Sequence, residues 1–365
     1  MIDQGLDAVL AGFAVEGQLV HARPQPGGLI NTSWRVELAH LGERRPFLLQ
    51  SLNTHVFKDI EAVMNNLARV SAHLSKRFAA SGMEQSERRC LTLVPSSQSG
   101  NGLVTVDETP YRLFHFIEGT ISRTTVENAQ QAAAVGQAYG AFQRNLADYP
   151  GPQLALTIPH FHDTALRFES LQASATRDSV RRLESCGDEL VFAAEQQQLA
   201  HVLPTLSQRG QLPERVVHND AKPANVLFDE LTGEGLAVID LDTVMPGSVL
   251  HDFGDMVRSC TSTAGEDRMA TEVDIDLDLF SGLVQGYLAE AGSILNRVER
   301  EHLALAGVII TYEQGLRFLT DHLDGDVYFS GVKPGHNLSR CRNQFALVRA
   351  LLRRLPELQT IAAKA

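Results

Sequence analysis

Val216-Val217-His218-Asn219-Asp220-Ala221-Lys222-Pro223-Ala224-Asn225-Val226-Leu227-Phe228 sets two short apolar runs on either side of a polar loop. A third run, Ala237-Val238-Ile239-Asp240-Leu241-Asp242, ends in acids. The polar residues keep a definite spacing: His218, then Asp220 two later, Lys222 two after that, and Asn225 five beyond Asp220. Phosphoryl transfer needs groups of these kinds, because it asks a protein to align a nucleophile and neutralise phosphate charge. Asp220 is the candidate to accept or orient the proton of an attacking hydroxyl. Asn225 and Asp240 offer oxygen ligands of the kind that Mg²⁺ prefers. Lys222 is expected to reach the transferred phosphate, and His218 to buttress the loop by hydrogen bonds.

The pattern H-x-D-x-K-x-x-N followed by a strand-end Asp is that of a kinase catalytic loop and its metal acid. Two acids compete for the second place, since Asp252-Phe253-Gly254 spells the protein-kinase D-F-G triplet. Position decides between them. Asp240 lies 20 residues past Asp220, one hairpin away, whereas Asp252 lies 32 past and follows Pro246-Gly247. Asp240 is therefore read as the metal ligand, and Asp252 as a helix-start acid that braces the loop.

Working outward toward the N-terminus, Ile2, Leu6, Val9, Leu10 and Phe13 recur at helical spacing. Gly27-Gly28 then opens a turn between strands that continues through Asn31, Thr32 and Trp34. Glycine lets backbone N–H groups approach phosphate oxygens closely, so Gly27, Gly28, Asn31 and Thr32 are candidates for nucleotide binding. Residues 46–53 read as a strand, 56–76 as a helix with Val63, Leu67, Val70 and Leu74 on one face, and 91–95 and 103–106 as strands. The apolar strand from Tyr111 to Gly119 places Phe116 and Glu118 where backbone groups would meet an adenine. A small β lobe over residues 1–119 is the outcome.

From Val126 the periodicity becomes helical. Helices are expected over 129–147, twice within 166–206, and over 271–289, 299–321 and 338–355. His160-Phe161-His162-Asp163 is read as a loop and helix cap, because no further ligands sit at metal-site spacing. The arginines of the last helix read as a solvated or ion-paired face. The fold class is α+β, with residues 120–365 forming a larger helical lobe that carries the loop.

Length and composition agree with this division. At 365 residues the chain exceeds what one core usually fills, so two lobes are expected. A net charge of −12 leaves no footprint for nucleic acid or an anionic membrane. Cys90, Cys186, Cys260 and Cys341 are scattered with no C-x-x-C pair, which points to reduced structural thiols. Neither a basic leader nor an apolar run of spanning length is visible, and a cytoplasmic location is expected.

Taken together, the motifs resemble the aminoglycoside phosphotransferase/choline kinase-like superfamily, which shares the protein-kinase fold, and within it the N-acetylhexosamine 1-kinases. The resemblance runs through Gly28-Leu29-Ile30-Asn31, Leu49-Gln50-Ser51-Leu52-Asn53 and His160-Phe161-His162-Asp163-Thr164. It continues through Ile239-Asp240-Leu241-Asp242-Thr243-Val244-Met245-Pro246-Gly247, Gly315-Leu316-Arg317-Phe318-Leu319 and Asp324-Gly325-Asp326-Val327-Tyr328-Phe329. It implies transfer of the ATP γ-phosphoryl group, with Mg²⁺, to the anomeric hydroxyl of GlcNAc or GalNAc. Asp220 and Lys222 would be catalytic, Asn225 and Asp240 the metal ligands, and Arg317, Asp324 and Tyr328 sugar contacts beside Asp220. One departure from the wider kinase pattern stands out: the strand that should carry a phosphate-binding Lys reads Phe47-Leu48-Leu49-Gln50. Gln50 is neutral, so Lys222 is expected to take more of that burden. An ion pair between Arg317 and Asp321 is the competing role for that arginine. A kinase of another small hydroxylated acceptor (an aminoglycoside, choline, homoserine or another sugar) and a nucleotide-binding pseudokinase are the alternatives. A monomer or homodimer is expected.

Overall fold

In the computed structural model, which describes residues 4–26, 30–82, 85–151, 153–329 and 335–365, the N-terminal sequence folds around an antiparallel sheet. Helix α1 (Gln4–Leu10) precedes strands β1 (Gln18–Pro24), β2 (Thr32–His40) and β3 (Glu43–Ser51). Leu41 and Gly42 join β2 to β3 with positive φ at both positions, the tight hairpin turn whose twist suits antiparallel strands. After α2 (Ile60–Ala80) come β4 (Val104–Val106), β5 (Thr109–His115) and β6 (Thr120–Ser122). The sheet order is β1-β2-β3-β5-β4. Alternate residues Val36, Leu38, Phe47, Leu49 and Leu113 form its buried face, on which Leu6, Val9, Leu10 and Phe13 pack.

Asp59 caps α2 by accepting the N–H of Ala62, so the helix starts there and not at residue 56. The expected stripe of Val63, Leu67, Val70 and Leu74 is buried. From the same helix Asn66 donates to the carbonyls of Ala155 and Val244 and accepts from Ala155 N–H.

The helical sequence then supplies α3 (Ala129–Leu146), α4 (Thr164–Arg177), α5 (Gly187–Glu195), α6 (Val202–Gln208) and the short strand β7 (Arg215–Val217). Strands β8 (Val226–Asp229) and β9 (Gly235–Val238) form the hairpin after the loop, with β8 also pairing to β6 through Ile121 and Phe228. The rest is helical: α7 (Val249–Cys260), α8 (Leu277–Ala291), α9 (Arg297–Glu301), α10 (Leu303–Asp324) and α11 (His336–Lys364). Helices α3 and α8 approach so closely that a Cβ on Gly286 would sit 2.1 Å from the carbonyl oxygen of Ala133, so glycine is required there.

Two units result, each with its own core: residues 1–122 with 148–158 and 224–246, and residues 123–147 with 159–223 and 247–365. The first is mainly antiparallel sheet and the second helical, which makes the class α+β. The first stretch of the sheet unit ends at residue 122, and the hairpin 224–246 belongs with the sheet and not with the helices. Its pairing with β6 and the bonds from Asn66 explain why.

Several element limits differ from the sequence reading. Residues 91–95 are no strand and contribute only an isolated bridge, Leu93 to Phe114. Helix α8 begins at its cap Asp276, not at 271. Helix α11 runs through Pro356, and beyond it Leu358 is fully buried. No described helix is long and apolar enough to cross a membrane.

Candidate active site

The loop 218–222 hangs from one buried acid. Asp252, in the first turn of α7, accepts the N–H of His218 at 2.9 Å on Oδ2 and that of Asn219 at 2.6 Å on Oδ1. Gln143 Nε2 donates to Oδ2 as well, at 2.8 Å. Burial pushes the Asp252 carboxyl above the usual carboxylate range, while the His218 ring and the donated hydrogen bonds pull it back. Asn219 adopts φ of 65°, the left-handed region that Asn tolerates better than most residues. The D-F-G acid thus braces the backbone immediately before Asp220. His218 is fully buried, packs edge-on against Tyr139 and Phe142, and accepts the Asp220 N–H on Nδ1 at 3.2 Å. Lys222 Nζ donates to Asp220 Oδ2 at 2.7 Å, both side chains about a third exposed. Tyr139 holds the Lys222 carbonyl at 3.0 Å.

In the sheet unit, the β8–β9 hairpin places Asn225 and Asp240 at the same end. Val226 pairs with Val238, and Ile239 N–H donates to Asn225 O at 2.9 Å. Asp240 takes φ of 60° and is exposed, whereas Asn225 is buried. One carboxylate and one amide oxygen suit a hard cation that takes its remaining ligands from water and phosphate. Among the described residues no group of three or more His, Cys, Asp or Glu is assembled to hold a metal ion.

Two residues beyond Asp240, Asp242 receives both guanidinium nitrogens Nη1 and Nη2 of Arg112, the Nη2 contact at 3.0 Å. The side chains are 1% and 2% exposed. Asn31 Nδ2 also donates to Asp242 at 2.7 Å, and its Oδ1 accepts Asn53 N–H. Arg112 stands opposite Gln50 in the β3–β5 register, and its Nε donates to Gln50 Oε1 at 2.9 Å. Gln50 Nε2 in turn donates to Ser33 Oγ. The strand without a lysine therefore has a buried cation beside it, delivered from β5. Asn31 is engaged in this network, and Thr32 is the exposed first residue of β2. Gly27 and Gly28 lie outside the described residues. At 116–118, Arg35 lies over the Phe116 ring at 4.7 Å and pairs with Glu118 at 3.5 Å.

The helical unit assembles a second cluster around Arg317 on α10. Its guanidinium lies 5.3 Å from the centroids of Phe161 and Phe329 and 5.9 Å from that of Tyr328, while Nη1 donates to Gln314. Among the described residues it makes no ion pair, and Asp321 instead accepts from Tyr328 N–H, Phe329 N–H and Asn337 Nδ2. Asp324 pairs with Arg177 at 3.2 Å, and Asp326 with Arg182. Arg167 donates to the carbonyls of His160 and Phe161, and burial together with the charge of Arg317 lowers its pKa. Asp163 caps α4. Sequence reasoning missed Arg167 and the pair His162–Glu313, which meets at 2.8 Å across 151 positions. The four cysteines are buried, and burial raises Cys90 and Cys186 to about 11 and Cys260 to about 12. None of these three is an ionised nucleophile at neutral pH.

A family model described as APH, phosphotransferase enzyme family, matches residues 21–293. Among solved structures the chain is similar to an aminoglycoside phosphotransferase from Alicyclobacillus acidocaldarius, with TM-score 0.60 and 16% identity over 100% of this chain and 97% of that one. It is also similar to a spectinomycin phosphotransferase, APH(9)-Ia, in complex with ADP and spectinomycin, with TM-score 0.57 and 12% identity over 97% and 99%. A choline kinase from Cryptosporidium parvum gives TM-score 0.57 and 13% identity over 98% and 97%. At these identities the likenesses show the fold, which is protein-kinase-like.

Proposed function

The chain belongs to the phosphotransferase enzyme family, and we propose that it is an ATP- and Mg²⁺-dependent kinase forming the 1-phosphate of an N-acetylhexosamine, GlcNAc or GalNAc. Arg317 carries the choice of acceptor. It is held against three aromatic rings without an acid partner among the described residues, beside a second guanidinium, Arg167. A cationic acceptor such as an aminoglycoside or choline calls for acids or an aromatic cage. Here the nearby acids Asp324 and Asp326 are already neutralised by Arg177 and Arg182. That charge balance favours a neutral sugar, whose amide carbonyl and hydroxyls suit a forked arginine and whose ring face suits Tyr328. Asp324, turned to Arg177, shapes the surroundings rather than touching the sugar.

In this reading Asp220 takes the proton of the anomeric hydroxyl, and Lys222, whose Nζ donates to Asp220, offers its ammonium to the phosphate. Bound Mg²⁺, held by Asn225 and Asp240, would neutralise phosphate charge. Residues 114–119, with Phe116 and Glu118, would face the adenine. Thr32 and Gln50 would lie toward the phosphates, and Lys222 would carry the charge that the strand lacks, since Arg112 is buried and paired with Asp242.

The test is ADP release from Mg-ATP with a panel of acceptors. GlcNAc and GalNAc should turn over with kcat/KM at least roughly tenfold above an aminoglycoside or choline, a difference of about 1.4 kcal/mol. Arg317→Ala should raise the sugar KM far more than the ATP KM. Turnover confined to cationic acceptors would overturn the sugar assignment. ATP binding with no turnover on any hydroxylated acceptor would favour a pseudokinase.

A further inference from the structure

The His162 side chain, 6% exposed, lies between two groups on opposite sides of its ring. Nδ1 meets Glu313 Oε1 at 2.8 Å, and Nε2 meets the backbone carbonyl of Asn219 at 2.9 Å. A carboxylate and a peptide carbonyl only accept hydrogen bonds, whereas a neutral imidazole has one N–H to give. Both contacts are satisfied together only when both ring nitrogens carry protons. Glu313 is 2% exposed, and its other oxygen accepts the Thr164 hydroxyl at 2.6 Å, which leaves it in the anionic form. Glu313 sits one turn before Arg317 on α10, and Asn219 immediately precedes Asp220.

We propose that His162 is a positioning residue, a doubly donating imidazolium that ties α10, the helix of Arg317, to the backbone carbonyl just before Asp220. The roles of Asp220 and Arg317 rest on the kinase reading above; the charge and the tie rest on geometry alone. The charged groups around the ring agree with it. Burial pulls the His162 pKa down, but the charge and hydrogen bond of Glu313, the Asn219 carbonyl and the more distant Asp255 outweigh that and raise it. The His251 ring lies 4.8 Å away at a tilt of 35°, and burial and the His162 charge lower its pKa to about 3, so it adds no second charge at neutral pH. The charge and hydrogen bond of His162, with the Thr164 hydroxyl and the charge of Arg317, keep the Glu313 carboxylate at about 2 despite burial.

The experiment pairs imidazole ¹⁵N and ¹³C NMR of selectively labelled whole protein with kinetics of His162→Gln and Glu313→Gln. The His162 ring should be doubly protonated at pH 7 and should lose its proton only above the free-imidazole range. Its signals should collapse to the neutral form in Glu313→Gln. His162→Gln keeps one donor and no charge. It should lower kcat by roughly tenfold to a hundredfold, the scale of a misplacement near 1 Å, and flatten the alkaline fall of activity, with the ATP KM within about twofold of wild type. A neutral His162 in the wild-type protein at pH 7 would overturn the proposal, whatever the acceptor proves to be. A well-folded His162→Gln with wild-type kcat and pH profile would do the same.

Discussion

Asp252 Oδ1 accepts the backbone N–H of Asn219 at 2.6 Å, so an acid 33 positions downstream fixes the turn that presents Asp220. Oδ2 accepts from His218 N–H and Gln143 at once. Asp252→Asn keeps the shape but turns an amide NH₂ toward one of these donors. Stability should fall by roughly 1–3 kcal/mol, the cost of leaving buried donors unpaired, as read from the denaturant midpoint. An unchanged midpoint would show that the brace is dispensable.

The bidentate pair of Arg112 and Asp242 is fully desolvated, and each partner alone would be an uncompensated buried charge. Arg112→Ala and Asp242→Ala should each cost about 3–5 kcal/mol. The double substitution should cost clearly less than their sum, and equilibrium unfolding of the four proteins measures that coupling. Arg112→Lys should rescue little, because one ammonium cannot bond Asp242 twice and reach Gln50 as well. Strictly additive effects would contradict the pairing.

These two relationships show where sequence reading stops. The hairpin bearing Asn225 and Asp240 was legible because apolar runs of strand length are bounded by acids and glycine, and counting along them favoured Asp240 over Asp252. The stripe of α2 was legible from its helical spacing. A strand was expected before the Gly27-Gly28 turn, but the limits of β1 were not legible, since its residues are exposed or half-buried and leave no apolar signal. The last helix was expected to end at 355, but α11 continues through Pro356, and Leu358 two residues on is buried. Arg112–Asp242 and His162–Glu313 join positions 130 and 151 apart, and no local spacing records such contacts. Of the α11 arginines, read as a solvated or ion-paired face, Arg340 pairs with Glu266, Arg342 with Glu189 and Arg353 with Asp274.

Acid should destabilise the protein partly through His251. Its folded pKa, about 3, lies below the ordinary imidazole value of 6.5, so the unfolded chain takes up the proton first as pH falls. The stability this group contributes is complete above pH 6.5 and declines toward pH 3, with a slope of at most about 1.4 kcal/mol per pH unit. Glu313, held at about 2 against 4.5, adds a loss of the same sign below pH 4.5. His251→Phe should flatten the decline between pH 6.5 and 4.5 in pH-resolved denaturation curves. An unaltered slope would remove His251 from the account.

Asp220→Asn should lower turnover by roughly 10²–10⁴-fold with the ATP KM little changed, as expected for a lost base. Asp240→Asn should instead raise the Mg²⁺ concentration needed for half-maximal activity and weaken Mg-ADP binding in calorimetry. Chelation with EDTA should abolish wild-type turnover, and added Mg²⁺ should restore it. Near-normal kinetics and Mg²⁺ response in folded Asp240→Asn would remove that residue as the metal ligand.

The position of phosphate on the product tests the central claim most directly. After incubation with Mg-ATP and GlcNAc or GalNAc, ³¹P–¹H correlation NMR should show phosphorus coupled to the anomeric proton of the sugar, the mark of a 1-phosphate. Phosphorus coupled to the C6 protons, or no sugar phosphate while an aminoglycoside or choline is phosphorylated, would contradict the account.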